Sequence, residues 1–247
     1  MASDTRFLLE HLQKDVRFLA DKYSVAVPNG AVIETDSSSG ITVAGIQINT
    51  ETDSGFVPLF PWRYERRFIE LKRIVETATI ENVVLCRFSN ITDGRAETLP
   101  DILYKEFDIL EFLTGEKIVS LFASTVENKF ANVVVRLSNG TLASVEAGTT
   151  LPAGHSPLDR HELIARRGVA SDRVVDTHIP QQSVYVFGKD SVQSYTDTDS
   201  ELFGLQNEEI NLVRAAFEWA KNQQTAAAVE QHQRLVTFVK QATLTNP

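Results

Sequence analysis

The 247-residue chain has one cysteine, Cys86, so no internal disulfide can form, and a reducing, cytoplasmic setting is expected. Cys86 lies in the apolar run Val83-Val84-Leu85-Cys86 and reads as a buried small hydrophobe, not a nucleophile. No apolar run approaches the ~20 residues of a membrane span, and no basic segment followed by an apolar one opens the chain as a secretory signal would. The 12 glycines are scattered: no Gly-x-Gly-x-x-Gly joins a strand to a helix, and there is no P-loop and no Gly-x-Ser-x-Gly elbow. His11, His155, His161, His178 and His232 make no zinc-ligand spacing; surface or loop positions are expected for each. The net charge of −9 argues against a nucleic-acid or anionic-membrane surface.

What is present is ordinary globular material, 43% hydrophobic and 23% charged, enough for one large domain or two small ones. Helical spacing predicts helices over 4–22, 62–78, 101–114, 207–221 and 226–242. Short strands are expected at 24–27, 31–34 and 41–49, with residues 50–61 as a loop. From Glu81 the texture becomes β-branched: strands are predicted at 83–88, 118–125, 131–137, 141–147, 162–165, 173–175, 183–187 and 191–195. The pair 131–137 and 141–147 is joined by the hairpin signal Ser138-Asn139-Gly140. Meanders bracketed by helices predict an α+β fold, with a large, predominantly antiparallel open sheet and helices on one face. Residues 1–45 form an N-terminal helix with short strands, and 46–247 the main α+β domain. The pattern Val133, Val135, Leu137 against Asn132, Val134, Arg136 puts Val134 on the sheet's second face.

The segment Pro100–Gly115 carries the most information. Ile102, Leu103, Phe107, Leu110 and Leu113 recur at helical spacing, Gly115 closes the helix, and Asp101 and Lys105 share one face, as do Tyr104 and Asp108. The spacing resembles the Asp-x-Gly-x-His-x-x-Asp…Leu-x-Gly helix of the Gfo/Idh/MocA sugar and polyol dehydrogenases. Asp101, Asp108, Leu113 and Gly115 match it, Leu103 stands for the glycine, and Lys105 for the histidine. The resemblance implies that Asp101 and Lys105 occupy the positions that hold and deprotonate a substrate hydroxyl, with Tyr104 and Asp108 beside the substrate. A lysine among carboxylates keeps its proton and is a poor base; read without the resemblance, Asp101 and Lys105 are a surface ion pair of ~0.3–0.5 kcal/mol.

Further segments resemble the C-terminal half of that family over about residues 45–240. They are the arginine-led helix from Arg63 to Lys72, the strand–Asn-Gly–strand run Asn132–Ala143, the strand and Gly turn Glu162–Asp172, and the closing helix Asn207–Trp219. Trp62 and Arg63 are candidate substrate contacts in an aromatic, basic cluster with Phe60, Pro61 and Tyr64. No Glu-Lys-Pro motif or glycine-rich turn matches the family's nucleotide-binding half.

Two readings follow. The first is a stand-alone C-terminal-type module for oligomerisation or for binding a sugar or polyol, with no cofactor of its own. The second is the substrate-binding part of an NAD(P)-dependent sugar or polyol dehydrogenase, with NAD or NADP held by a nucleotide-binding domain absent from this chain. The resemblance implies a homo-oligomer built on the open sheet; nucleic-acid and membrane partners are not expected.

Overall fold

The computed structural model describes residues 2–28, 30–49, 54–173, 183–187, 192–196 and 206–244. The chain divides into two compact units, Met1–Glu65 with Thr198–Val236, and Arg66–Asp197 with Thr237–Pro247. Among the described residues no helix is long and apolar enough to cross a membrane.

In the first unit, helices α1 (Ala2–Tyr23) and α4 (Asn207–Asn222) pack against an antiparallel sheet of β1 (Ala31–Asp36), β2 (Val43–Asn49) and β3 (Ser54–Pro58). Ile33, Ile46, Val57, Val213, Ala216 and Trp219 lie in its core. β3 falls in the expected 50–61 loop: its Gly55 and Pro58 read as breakers, yet pairing of Asn49 with Ser54 through Gly45 with Pro58 makes it an edge strand, where proline is tolerated. The opposite edge is closed by a side chain, since the Gln13 carboxamide donates to Ala31 O at 3.2 Å and accepts from Ile33 N at 3.0 Å. The strand expected at 24–27 does not form; residues 25–28 are irregular. The helix expected over 62–78 is instead a 3-10 turn, Pro61–Tyr64, an extended Glu65, and α2 (Arg66–Glu76).

The second unit is α+β. Its seven-stranded sheet has the order β10-β9-β8-β4-β7-β6-β5, formed by β4 (Glu81–Ile91), β5 (Ile118–Val126), β6 (Phe130–Leu137), β7 (Leu142–Gly148), β8 (Leu158–Ser171), β9 (Ser183–Phe187) and β10 (Val192–Thr196). All neighbours are antiparallel except β4 and β7, which run parallel. β8 is a single 14-residue strand where the sequence suggests a short strand and a turn. Gly168 stays within it at φ 125°, a backbone state glycine adopts without steric cost. The strand expected at 173–175 begins at Arg173, outside regular structure, and its remainder lies outside the described residues.

Register explains the layering. One cross-strand row, Ala123–Val133–Val145–Phe88–His161, lies on the inner face and is buried throughout. The neighbouring row, Phe122–Val134–Ser144–Arg87–Glu162, lies on the outer face, where Phe122 is 72% and Val134 46% exposed. Helices α2 and α3 (Leu99–Thr114) pack on this sheet, and α3 buries Ile102, Leu103, Phe107 and Leu110 completely.

Candidate functional site

On the inner face the apolar rows that cross Phe88 and Asn90 give way at β8 to charged groups. His161 lies opposite Phe88, and Asp159 opposite Asn90. His161 is fully buried, with the edges of Phe68 and Phe88 against its ring at centroid distances of 4.7 and 4.8 Å. Its Nδ1 lies 2.7 Å from Asp172 Oδ2 and its Nε2 2.9 Å from Glu106 Oε2. The other carboxylate oxygens are used as well: Glu106 Oε1 accepts from Asn90 at 2.8 Å, and Asp172 Oδ1 from the His161 backbone N–H at 2.7 Å. Arg67, at the start of α2, donates to Asp172 at 2.9 Å and to Asp159 at 2.7 Å.

The electrostatics follow from this placement. Burial by itself would strip the proton from His161, but Asp172 and Glu106 outweigh it and raise the pKa to about 10, so the ring is an imidazolium at neutral pH. Burial would likewise raise Asp159, but Arg67, His161 and Lys105 hold its carboxyl well below the usual carboxylate range. Asp159 Oδ1 is buried without a hydrogen-bond partner, 3.6 Å from His161 Nδ1. Glu106, Asp159 and His161 bring ligand-type atoms within 4.8 Å of one another. In the imidazolium form His161 has no lone pair to offer a cation there, and both its ring nitrogens lie within hydrogen-bond distance of a carboxylate oxygen. The Arg67 guanidinium occupies the remaining side of Asp159 and Asp172.

Asp101, at the N-terminus of α3, belongs to a capping box. Its carboxylate accepts from Thr98 N at 2.8 Å and Thr98 Oγ1 at 2.6 Å, and its own N–H donates to Thr98 Oγ1 at 3.4 Å. Lys105, one turn on, sits in the field of Glu97 and Asp159. Burial raises the Glu97 pKa against the pull of Lys105, with help from Glu106, Asp159 and Asp101. Tyr104 and Asp108, on the same helix, are buried and face protein. Trp62 and Arg63 belong to the other unit, where Arg63 lies over the Phe60 ring at 4.2 Å and Trp62 meets that ring edge-on at 5.9 Å. Cys86 is buried beside Phe88 on β4, and burial pushes its thiol up to about 12, which keeps it protonated.

His161 corrects the expectation of a surface or loop histidine. Its signal was the alternation Asp159-x-His161-x-Leu163, which puts all three on one face of a strand. Reading 162 as the first strand residue concealed it. Glu106, Asp172 and Arg67 carry no comparable local mark.

No protein-family model matches the sequence, and no curated protein is similar to it by sequence. Solved structures are similar in fold. An oxidoreductase from Agrobacterium radiobacter, in complex with NAD+, L-tartaric acid and magnesium, is 13% identical with a TM-score of 0.59, over 74% of this chain and 60% of that one. An inositol dehydrogenase homolog from Azotobacter vinelandii, complexed with NADH and myo-inositol, is 11% identical with a TM-score of 0.55, over 74% and 60%. The UDP-N-acetylglucosamine 3-dehydrogenase GnnA from Acidithiobacillus ferrooxidans is 13% identical with a TM-score of 0.55, over 74% and 58%. These neighbours are Gfo/Idh/MocA-type oxidoreductases, and the likeness is one of fold. The chain spans about three fifths of the length of each.

Proposed function

We propose that this chain is the substrate-side part of an oxidoreductase of this fold, taking a sugar or polyol at the N-terminal end of α3. The observation that carries the reading is Lys105 on the helix laid over β4 and β7, with Glu97 and Asp159 in its electrostatic neighbourhood. Ammonium and carboxylate groups side by side offer donors and acceptors to neighbouring hydroxyls, as polyol recognition requires. In this reading Lys105 orients the ligand and steadies a developing alkoxide, while Glu97, its pKa raised, is the proton-accepting group. Asp101 holds the helix end that presents both.

The dinucleotide of such a reaction would supply or take the hydride, and it is placed outside the described residues. Two features support this. Among the described residues the one parallel strand pair, β4 and β7, is not followed by a glycine-rich turn into a helix. The N-termini of α3 and α4 are closed by the Asp101 and Glu209 carboxylates of their capping boxes, where a pyrophosphate would meet negative charge.

The sheet's outer face, with Phe122 and Val134 beside Arg87 and Glu162, is proposed to pair with a second copy of the chain, its apolar and charged groups meeting their own kind and their opposites.

The test is an amide NMR titration of the purified chain with myo-inositol, D-glucose and NADH. One of the polyhydroxyl probes is expected to shift the amides of Glu97, Lys105 and Asp159, and Lys105→Ala to abolish the shift, while NADH leaves the spectrum unchanged. Unmoved amides at those positions with both probes would refute the substrate-side reading. NADH shifts within the described residues would refute the placement of the cofactor.

A further inference from the structure

At the end of the sheet remote from His161 lies a groove of about 670 Å³ that the reading above leaves unused. A break in the strand ladder makes it. β4 pairs with β7 only from Leu85 and Leu142 onward, and its pairing with β8 bulges between Val83 and Leu85. Residues 82–84 of β4 therefore have no β7 neighbour, and Thr141 closes part of the gap by donating its hydroxyl to Val83 O at 3.1 Å. Asn82, in the left-handed region at φ 54°, falls opposite Arg166, between the register pairs Glu81–Arg167 and Val83–Ala165.

The lining has a definite chemistry. In a chain of net charge −9 it contains no carboxylate, and its one cation is Arg166. Asn139 accepts from Thr141 N through Oδ1 at 2.9 Å, which leaves its amide nitrogen as a donor, and Asn82 supplies another. Val75, Ile80 and Val84 form an apolar wall. The C-terminal ends of α2 and α3 also reach the groove, but protein donors already meet carbonyls there: Thr79 N binds Ile74 O at 3.0 Å, and Thr114 Oγ1 binds Leu110 O at 2.7 Å. Those ends do not demand a cation. The volume lies in the range of small-molecule sites.

We propose that this groove binds a small aliphatic carboxylate. The carboxylate is paired by the planar Arg166 guanidinium and the Asn82 and Asn139 amides, and the branched hydrocarbon lies on the valine and isoleucine wall.

The probe is 4-methylpentanoate, titrated into the full chain and followed by amide NMR and calorimetry. Its neutral amide, 4-methylpentanamide, tests the charge, and inorganic phosphate tests the hydrocarbon. The expected result is shifts at Asn82, Val84 and Gly140, none at Lys105 or His161, and binding weaker by about tenfold or more for the amide, for phosphate and for Arg166→Gln with the acid. Arg166 is exposed, so the variant should fold; an unchanged His161 environment verifies that. No shift at those three amides by about 10 mM, well beyond the Kd of a specific small-ligand site, overturns the proposal. So does binding of the amide, of phosphate or by Arg166→Gln as strong as that of the acid by the native chain. The readout uses amides distinct from those of the polyol titration, so either reading can fail without the other.

Discussion

His161 Nε2 lies 2.9 Å from Glu106 Oε2, joining strand β8 to helix α3 across 55 residues of sequence with both side chains wholly buried. The imidazolium meets Asp172 on its other side, and Arg67 carries the network to α2. The two helices are thus seated on the sheet by charge as well as by the apolar stripe of α3. Buried charges of this kind impose a definite arrangement, because any shift leaves one uncompensated.

Stability should depend on pH in two opposite limbs. His161 is raised from 6.5 to about 10 in the folded chain, so its contribution is complete below pH ~6.5 and is lost as pH climbs toward 10, by up to about 1.4 kcal/mol per pH unit. Asp159 is lowered from 3.8, so its contribution is present above that value and is lost as pH falls. Urea unfolding across the range should show greatest stability between about pH 4 and 6.5. His161→Gln should flatten the alkaline limb; an unaltered slope between pH 7 and 9 in that variant would count against the imidazolium.

Replacing Arg67 by methionine keeps the length of the side chain but leaves Asp159 and Asp172 without their guanidinium. The expected loss is about 3–5 kcal/mol, the usual result of breaking one side of a buried pair, measured by denaturant midpoint at pH 7. Arg95→Met, on an exposed pair with Asp93, should cost far less, because solvent screens the pair. Equal losses would show that the buried network contributes no more than a surface contact.

Asp101→Ala should destabilise the chain by about 0.3–1 kcal/mol, because it removes the N3 carboxylate of the capping box while the N-cap Thr98 remains. Asp101→Ser, which can still accept from a backbone N–H, should recover part of it. Circular dichroism melts of the pair separate this capping role from a purely ligand-directed one, which would leave both variants as stable as the native chain.

Phe122→Glu places a charge on the outer face, on the edge strand β5. Light scattering should find the native chain as a dimer or larger and the variant as a monomer of 27.5 kDa. A native chain that is already monomeric at about 100 μM, far above the Kd of a standard-size interface, would remove the outer face as a self-association surface.

In the first unit, Gln13→Ala removes the carboxamide that satisfies the edge of β1. The cost should be about 1–3 kcal/mol, because Ile33 N–H loses its partner in a partly buried place. Hydrogen exchange at Ile33 should accelerate in the variant while exchange at Ile46, inside the sheet, stays slow.

The sequence by itself determined the class of this fold, the helical stripe of residues 101–114, the hairpin at Asn139-Gly140 and the outward placing of Val134. Each is written in a local period or a two-residue turn signal, which the chain satisfies whatever lies elsewhere. The tertiary structure alone decided the parallel pairing of β4 with β7, the strand made from Ser54–Pro58 and the length of β8. It also decided the fate of His161, because its proton depends on Glu106, 55 residues away, and its partner Asp172 is bridged by Arg67, 105 residues away. No local pattern encodes such meetings: the free energy of a buried charge is set by what stands against it in space, and that is known only once the sheet has chosen its order and its register.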